Sequence, residues 1–389
     1  MFLSNDDLVE LTAFRRELHR FPEVSGEEKE TAQRVRTYIE QMKPERIIEG
    51  LGGHGLAVIF EGREPGPSLL IRSELDALPI FEKTGLAYSS QSDGKGHLCG
   101  HDGHSTILVS LGLGLSRQRP QKGRVILMFQ PAEETGAGAA AVLADPRFAE
   151  IVPDVSVSLH NLPGLPLGHV SIMEGVVNYA SRGIKISLSG KTAHASSPEQ
   201  GISPMLALSE LMPALVKLGV GLPKADEPFL PGADFRMVNV THASMGEAAF
   251  GISPADAELW ATLRTLSDDN MDTLCAQAEE LVTDIANKNS LKFSIAYDDI
   301  FLHCENSPEA TAHIITALKA ENIPYTEDFL PMRGSEDFGR FGAVSQSAMF
   351  FLGAGQSHAN LHNPDYDFPD ELIDIGARIF MRIIRNING

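Results

Sequence analysis

Val125-Ile-Leu-Met-Phe129 is a run of five apolar residues that is followed at once by Gln130-Pro-Ala-Glu-Glu134. A continuous apolar run of this length is typical of a strand that is buried on both faces of a sheet. Three further runs share this character: Leu56–Phe60, Ser68–Arg72 and Val155–Leu159. Stretches typical of helices, at about 104–118 and 136–144, separate the later runs. This alternation predicts an α/β fold with a mostly parallel sheet that is covered by helices on both faces.

The region from 182 to 297 has a different pattern. It predicts, in order, a strand at Gly183–Ser189, a helix at about 203–218, strands at about 235–243 and 256–264, a helix at about 269–288 and a strand at Leu291–Tyr297. The order β-α-β-β-α-β is that of a ferredoxin-like α+β domain. Because helix and strand patterns resume after it, we expect an inserted domain at 182–297 that divides a larger domain into segments 1–181 and 298–389.

Composition restricts the class of protein. The chain has 389 residues, 43% of them hydrophobic and 22% charged, and a formal net charge of −20. The length predicts two domains, and the negative charge argues against nucleic acid and anionic membranes as partners. Three scattered cysteines, Cys99, Cys275 and Cys304, do not predict a disulfide framework, and we expect the latter two to be packing residues. With neither a signal-peptide pattern nor a membrane-spanning apolar stretch, the sequence predicts a cytoplasmic protein.

Cys99-Gly-His-Asp-Gly-His104 contains the most specific chemical signal. Thiolate, imidazole and carboxylate groups bind borderline divalent metals such as Zn²⁺. The two glycines would let the backbone bend, so that neighbouring side chains could converge. A polar, glycine-rich turn without a metal is the alternative. The motif predicts a metal site that includes Cys99 and His101.

Asp76, the Glu133–Glu134 pair and His160 each come directly after a predicted strand. Open α/β sheets bind ligands outside the carboxyl ends of their strands, so these positions predict one shared site. Neighbouring side chains diverge, so one glutamate can bind a metal while the other accepts a proton from an activated water. The alternative for the pair is a solvated acidic cluster at the start of the next helix.

Further candidates lie outside the strand ends. Either His358 or His362 could supply a distant ligand, and we prefer His362 because the Asn-Pro dipeptide after it restricts the backbone. His194 lies in a predicted loop of the inserted domain, where a histidine is usually solvated. Asn239 and Arg264 lie on predicted strands of that domain. Arginine can hold a carboxylate with two bonds, although a surface salt bridge is the common alternative.

The chain resembles the M20 metallopeptidases, and among them the branch of hippurate hydrolases, N-acyl-amino-acid deacylases and auxin-conjugate hydrolases. The resemblance extends over nearly the whole chain. It rests on an ordered series of motifs: Arg15-Arg-Glu-Leu-His-Arg-Phe-Pro-Glu23, Arg72-Ser-Glu-Leu-Asp-Ala-Leu-Pro79, Cys99–His104, Gln130–Glu134, Gly190–His194, Ser335-Glu-Asp-Phe338 and His362-Asn-Pro.

The resemblance implies two divalent metal ions per subunit, zinc or manganese. The implied ligands are Cys99, His101, Glu134, His160 and His362. Cys99 would bridge the two ions, Glu133 would be the general base, and Asp76 would orient a ligand from outside the first coordination sphere.

The resemblance also implies a homodimer that forms through the inserted domain. His194 would enter the partner's active site and stabilise the developing oxyanion. Asn239 and Arg264 would hold the carboxylate of the substrate.

The implied reaction is hydrolysis of the amide bond in a small N-acyl amino acid. A dipeptidase or carboxypeptidase on the same scaffold, and a relative that binds a ligand without turnover, are the alternatives. One departure affects the expected substrate. The family usually has Arg-Ala-Asp-x-Asp-Ala-Leu-Pro, whereas this chain has Ser73 and Glu74, and the extra methylene at 74 would change the hydrogen bonding around the ligands.

Overall fold

The computed structural model describes residues 2–221 and 231–389, so residues 222–230 of the predicted inserted domain lie outside the described residues. The described chain divides into two compact units. The first contains residues 2–177, 304–332 and 336–389. The second contains the described residues of 178–303 together with 333–335.

The described residues form these α-helices: α1 (Asn5–Arg20), α2 (Lys29–Glu40), α3 (His101–Arg117), α4 (Gly138–Ala144), α5 (Met205–Val216), α6 (Asp268–Lys288), α7 (Pro308–Glu321) and α8 (Leu372–Asn388). For α1, the sequence predicts a helix over 6–20 with Asn5 or Asp6 as its N-cap. The structure confirms the helix, but the predicted N-cap is wrong. Ser4 is the N-cap, because its hydroxyl accepts a hydrogen bond from the Asp7 N–H at 3.2 Å. The Asp7 carboxylate in turn accepts one from the Ser4 N–H at 2.7 Å, which completes a capping box.

The described strands are β1 (Arg46–Leu51), β2 (Gly55–Glu61), β3 (Glu64–Glu74), β4 (Lys122–Gln130), β5 (Val155–Pro163), β6 (Val170–Ser171), β7 (Gly175–Asn178), β8 (Ala180–Ser189), β9 (Ala193–His194), β10 (Arg236–Met245), β11 (Ile252–Ser253), β12 (Asp256–Thr265), β13 (Lys292–Phe301), β14 (Cys304–Asn306), β15 (Tyr325–Thr326) and β16 (Gln346–Gly355). Cys304 therefore begins a short strand, and both it and Cys275 are buried.

An eight-stranded sheet organises the first unit, in the order β1-β2-β4-β3-β5-β16-β6-β15. Its central pairs β4/β3, β3/β5 and β5/β16 are parallel, whereas β1/β2, β2/β4 and β16/β6 are antiparallel. The predicted mixed α/β fold with a mostly parallel sheet is confirmed.

Alternate residues of the apolar runs contribute to different cores. Leu127 belongs to the core formed with α1, α2, α3, α7 and α8, and Ile126 and Met128 belong to the core that contains residues of α4. Because the two faces are both buried, the run at 125–129 needs no polar alternation. The parallel register aligns Glu74 with Gln130, so the segments that follow β3 and β4 leave the sheet at the same edge.

The second unit contains a four-stranded antiparallel sheet in the order β10-β12-β8-β13. Helices α5 and α6 pack on one face of this sheet around Leu211, Leu259 and Leu274. Along the chain, β8, α5, β10, β12, α6 and β13 follow one another in the β-α-β-β-α-β order, and the short pair β9/β11 lies outside this sheet. None of the helices among residues 2–221 and 231–389 is long and apolar enough to cross a bilayer.

Candidate metal centre

Histidine orientation defines the centre of the site in the first unit. The Nδ1–H of His101, the first residue of α3, donates to the backbone oxygen of Asp76 at 2.9 Å. The Nδ1–H of His160 donates to the backbone oxygen of Asn161 at 2.8 Å. A carbonyl oxygen only accepts, so each ring, in its neutral form, presents the lone pair of Nε2. This arrangement is typical of a metal-binding histidine.

The two Nε2 atoms lie near other potential ligand atoms. His160 Nε2 lies 3.3 Å from Cys99 Sγ, and His101 Nε2 lies 3.9 Å from Glu134 Oε1. The second oxygen of Glu134 lies 3.6 Å from His362 Nε2. Atoms that share one tetrahedral Zn²⁺ at bond lengths of about 2.0–2.3 Å are roughly 3.3–3.8 Å apart. The separations of 3.3 Å and 3.6 Å therefore suit ligand atoms that bind a common ion, and the separation of 3.9 Å lies slightly beyond this range.

Among the described residues, five sets of potential ligand atoms each lie within 4.8 Å of one another, and three of these sets consist only of residues that were predicted for the site. These three are Cys99, His101 and His160; Cys99, Glu134 and His362; and His101, Glu133 and Glu134. Within the described part of the chain, Asp76 Oδ1, His101 Nε2 and Glu134 Oε1 are buried atoms that have no hydrogen-bond partner. Buried polar atoms without partners are costly, and a divalent cation would satisfy them. The residues present fit the implied pair of metals.

The charges of the site favour a cation as well. Burial and the negative charges of Glu134 and Glu133 raise the pKa of the Cys99 thiol well above its usual value. Burial raises the pKa of Glu134 to about 7, although positive charge on His101 opposes the shift. Burial and the neighbouring His104 ring hold the pKa of His160 well below its usual range. Thiolate and carboxylate need compensating positive charge here, and neutral imidazole is the form that binds metal.

His362 reaches the site from a distant loop. Its backbone lies in the left-handed region at φ 64°, and its N–H donates to the Leu98 oxygen at 2.8 Å. By contrast, His358 Nε2 donates to the backbone oxygen of Asp367 at 2.6 Å. The left-handed conformation is rare for a residue with a Cβ, and such strain is common at functional sites.

Glu133 lies among negative and positive neighbours at the edge of this cluster. A potential ligand oxygen of Glu133 lies within 4.8 Å of oxygens of Glu336 and Asp337. Burial, with the charges of Glu336 and Glu134, raises the pKa of Glu133 well above its usual value. The buried Arg72 guanidinium contacts both Glu336, at 3.0 Å, and Asp337, at 2.6 Å. A carboxylate with a raised pKa is suited to accepting and releasing a proton.

Asp76 holds the backbone of the site. Its Oδ2 accepts hydrogen bonds from the Glu134 N–H at 2.9 Å and from the Ser25 hydroxyl at 2.7 Å. Its Oδ1 lies 3.3 Å from His101 Nδ1. Asp76 therefore contacts two potential ligands: Glu134, through the Glu134 backbone N–H, and His101, through the His101 ring.

A buried pair formed by Glu74 and His104 was not predicted. The carboxylate of Glu74 accepts a hydrogen bond from His104 Nδ1 at 2.7 Å and also pairs with Arg72. His104 Nε2 accepts from the Asn161 N–H at 3.1 Å, so both ring nitrogens are used within the protein. The side-chain amide of Asn161 donates to the Cys99 oxygen at 2.7 Å. In the sequence, only the place of His104 in the 99–104 motif marked it as a candidate. The fold shows that His104 supports Cys99 through Asn161 and that both of its ring nitrogens already have partners.

The other predicted site residues lie in the second unit. His194 is exposed on β9, and its Nδ1 accepts a hydrogen bond from the Ser196 N–H at 3.2 Å, so the neutral ring carries its proton on Nε2. Asn239 pairs with Thr262 across β10 and β12, and Arg264 lies two residues further along β12. Asn239 and Arg264 therefore lie on the same face of the sheet. Arg264 Nη1 donates to the Arg333 oxygen at 2.7 Å and to the Ser335 hydroxyl at 2.8 Å.

Comparisons with known proteins identify the family of the chain. The sequence profile of Peptidase family M20/M25/M40 matches residues 70–386. An N-acetyldiaminopimelate deacetylase of Bacillus velezensis is 30% identical over 375 residues, which cover 96% of this chain and 98% of the relative. An N-acetylcysteine deacetylase of Bacillus subtilis is 28% identical over 386 residues, with 96% and 95% of the chains covered.

Solved structures share the fold. The YXEP protein of Bacillus subtilis, described as a dinuclear metal binding peptidase from the M20 family, superposes with a TM-score of 0.80. It is 24% identical, and the superposition covers 99% of each chain.

Proposed function

The chain belongs to Peptidase family M20/M25/M40 and is an amide hydrolase, and from this premise we propose that it deacylates small N-acyl amino acids with two divalent metal ions. The observation that carries the proposal is the convergence of the Cys99, His101, Glu134, His160 and His362 ligand atoms beside the buried Glu133 carboxylate. Deacetylase relatives that match nearly the whole chain support an acyl group on nitrogen as the substrate feature.

The five ligand residues, Cys99, His101, Glu134, His160 and His362, would hold the two ions. When bound, such ions polarise a carbonyl group and lower the pKa of an attacking water from about 16 to about 7. Glu133 accepts the proton of that water and delivers it to the nitrogen of the leaving amino acid. Burial beside Glu336 supports this assignment, because it makes Glu133 a stronger base than an exposed glutamate.

We assign substrate recognition to the second unit. Arg264 and Asn239 share one face of the β10-β12-β8-β13 sheet, and a guanidinium beside an amide suits a carboxylate. This assignment favours N-acylated amino acids that keep a free α-carboxylate. Unblocked dipeptides are the substrates of the alternative function.

We further propose a homodimer in which His194 of the partner subunit stabilises the oxyanion through Nε2–H. Apolar side chains beside its strand support this: Ile252, which pairs with His194, is 56% exposed, and Phe250 is fully exposed. Exposed apolar residues of this kind mark interaction surfaces. The cytoplasm is the setting we propose, because a reducing compartment keeps the Cys99 thiol free to bind metal.

The first experiment measures amine release from N-acetyl and N-benzoyl amino acids, N-acetyldiaminopimelate and unblocked dipeptides after loading with Mn²⁺ or Zn²⁺. We expect turnover of the acylated compounds and little of the dipeptides. Glu133→Gln should keep two metals per subunit and lose about 10²–10⁴-fold in kcat, and the exposed Glu174→Gln serves as the matched control. Preference for dipeptides, or a Glu133→Gln variant with normal kcat, would contradict the proposal.

A subunit-mixing experiment tests the role of His194. Glu133→Gln and His194→Ala are each expected to be inactive as homodimers. An equal mixture that exchanges subunits should recover about a quarter of the wild-type rate, because half of the dimers contain one complete site. No recovery after exchange would mean that His194 acts within its own chain or not at all.

A further inference from the structure

The turn that carries both catalytic-site glutamates begins with a strained residue. Ala132 has φ 52°, in the left-handed region that residues with a Cβ rarely adopt. Its conformation sets the directions in which the next two side chains, Glu133 and Glu134, leave the backbone. Such a turn needs contacts from outside to hold it.

Glu28 supplies one of these contacts from a distant part of the chain. It directly precedes α2 and is fully buried. Its Oε1 accepts hydrogen bonds from the Ala132 N–H at 2.8 Å and from the Gly26 N–H at 2.9 Å. As far as the described residues show, the buried Oε2 has no hydrogen-bond partner. Burying a carboxylate is costly, so a residue that only filled space would not need one.

A second buried carboxylate, that of Asp76, holds the other end of the turn. Asp76 accepts the Glu134 N–H and the Ser25 hydroxyl on one oxygen, and Val24 forms a parallel bridge with Ala77. The segment at 24–28 is thereby tied to the end of β3. Two buried carboxylates, one at each end, accept the N–H groups of residues 132 and 134.

We propose that Glu28 is a positioning residue, which fixes the Ala132 conformation and so aims Glu133 at the reacting water and Glu134 at the metals. The inference rests on the proposed function for the role of Glu133. Glu28 acts through the Ala132 N–H and contacts neither substrate nor metal.

The test compares three substitutions of Glu28 in the holoenzyme. Glu28→Gln keeps an oxygen that can accept both N–H groups, and it should retain kcat within about threefold of wild type. Glu28→Ala removes the acceptor and should lower kcat by about 10-fold or more, with a smaller change in KM, because the reacting groups are misplaced. If the alanine variant does not fold, Glu28→Asp, whose carboxylate is withdrawn by one methylene, is expected to show the same loss.

Ala132→Gly provides the second half of the test. Glycine adopts positive φ readily, so the turn no longer needs Glu28 to hold it there. When Ala132→Gly is added to Glu28→Ala or Glu28→Asp, kcat of the double variant should be at least about threefold higher than that of the single Glu28 variant. In the wild-type background the same substitution should change kcat by less than about twofold.

Metal affinity gives a readout that is independent of turnover. Competition between the protein and a chromophoric chelator for Zn²⁺ alone should show weaker binding in Glu28→Ala, by about 10-fold, and recovery with Ala132→Gly. Three results, each obtained with folded variants, would overturn the proposal. The first is a Glu28→Ala variant with wild-type kcat and metal affinity, and the second is a Glu28→Gln variant as impaired as Glu28→Ala. The third is an Ala132→Gly substitution that rescues neither kcat nor metal affinity. Absence of N-acyl amino acid hydrolysis in the wild type would instead contradict the proposed function, and the affinity measurements would still test the turn.

Discussion

Replacing His19 with asparagine should flatten the dependence of stability on pH above neutrality. His19 is fully buried on α1, with Nδ1 2.9 Å from Asp102 Oδ2 and Nε2 3.4 Å from Glu82 Oε2. Burial opposes protonation of the ring, but the hydrogen bond to Asp102 and the nearby Glu82 carboxylate outweigh it and raise the pKa of His19 to about 9. Asparagine can keep the donor that faces Asp102 and cannot carry the charge.

The size of the effect follows from the difference between the folded and unfolded pKa of this residue. From an ordinary value of 6.5 to about 9, the difference corresponds to about 3 kcal/mol of stability. Because the folded protein binds the proton more tightly, this contribution is complete below the unfolded pKa and is lost as pH rises through the folded pKa. Between pH 7 and 10, the wild type should lose about 2 kcal/mol that His19→Asn does not lose.

Urea unfolding at unit steps from pH 6 to pH 10, at fixed metal loading, measures this difference. The exposed histidine variant His242→Asn controls for loss of an imidazole elsewhere. His19→Asn should be less stable than the wild type at pH 6, and the two curves should converge by pH 10. Parallel curves over the whole range would refute the assignment of a protonated, buried His19.

Three further perturbations follow from the buried charges and the metals. Arg15→Met removes a fully buried guanidinium that pairs with Asp102, Asp367 and Asp370, and it should lower the unfolding free energy by about 3–5 kcal/mol in urea titrations; a change below about 1 kcal/mol would contradict this. Glu74→Gln removes a carboxylate that contacts both Arg72 and His104, so the midpoint of thermal unfolding should fall by several degrees, and an unchanged midpoint would show that the pair is not stabilising. Dialysis against a chelator should lower the thermal midpoint, with recovery on adding Zn²⁺ or Mn²⁺, whereas identical midpoints would mean that the folded protein binds neither ion.

Apolar runs predicted the central strands because each of their faces is buried. The run at Val125–Phe129 lies within β4, and its neighbours at 56–60, 68–72 and 155–159 lie within β2, β3 and β5. The predicted ends of the strands were less accurate than their centres. The run at 68–72 predicted only part of β3, which extends from Glu64 to Glu74 because Glu64 pairs with the start of β4. Short strands such as β6 and β15, of two residues each, contain too few positions to show a pattern.

The strand ends also allowed part of the site to be predicted. Asp76, Glu134 and His160 were expected near one another because parallel strands end at one edge of the sheet, and their side chains lie in one cluster with His101. Glu28 could not be found in this way. It directly precedes α2, and its partner is 104 residues away, so only tertiary structure brings them together.

The most direct test of the two-metal centre is anomalous scattering from crystals soaked in Zn²⁺ or Mn²⁺. We expect two anomalous peaks per subunit, with Cys99 Sγ in bonding distance of both. His101, Glu134, His160 and His362 should complete the coordination, with the two rings at 101 and 160 bound through Nε2. Peaks elsewhere in the chain, or a Cys99 sulfur that contacts neither ion, would contradict a two-metal centre at these residues.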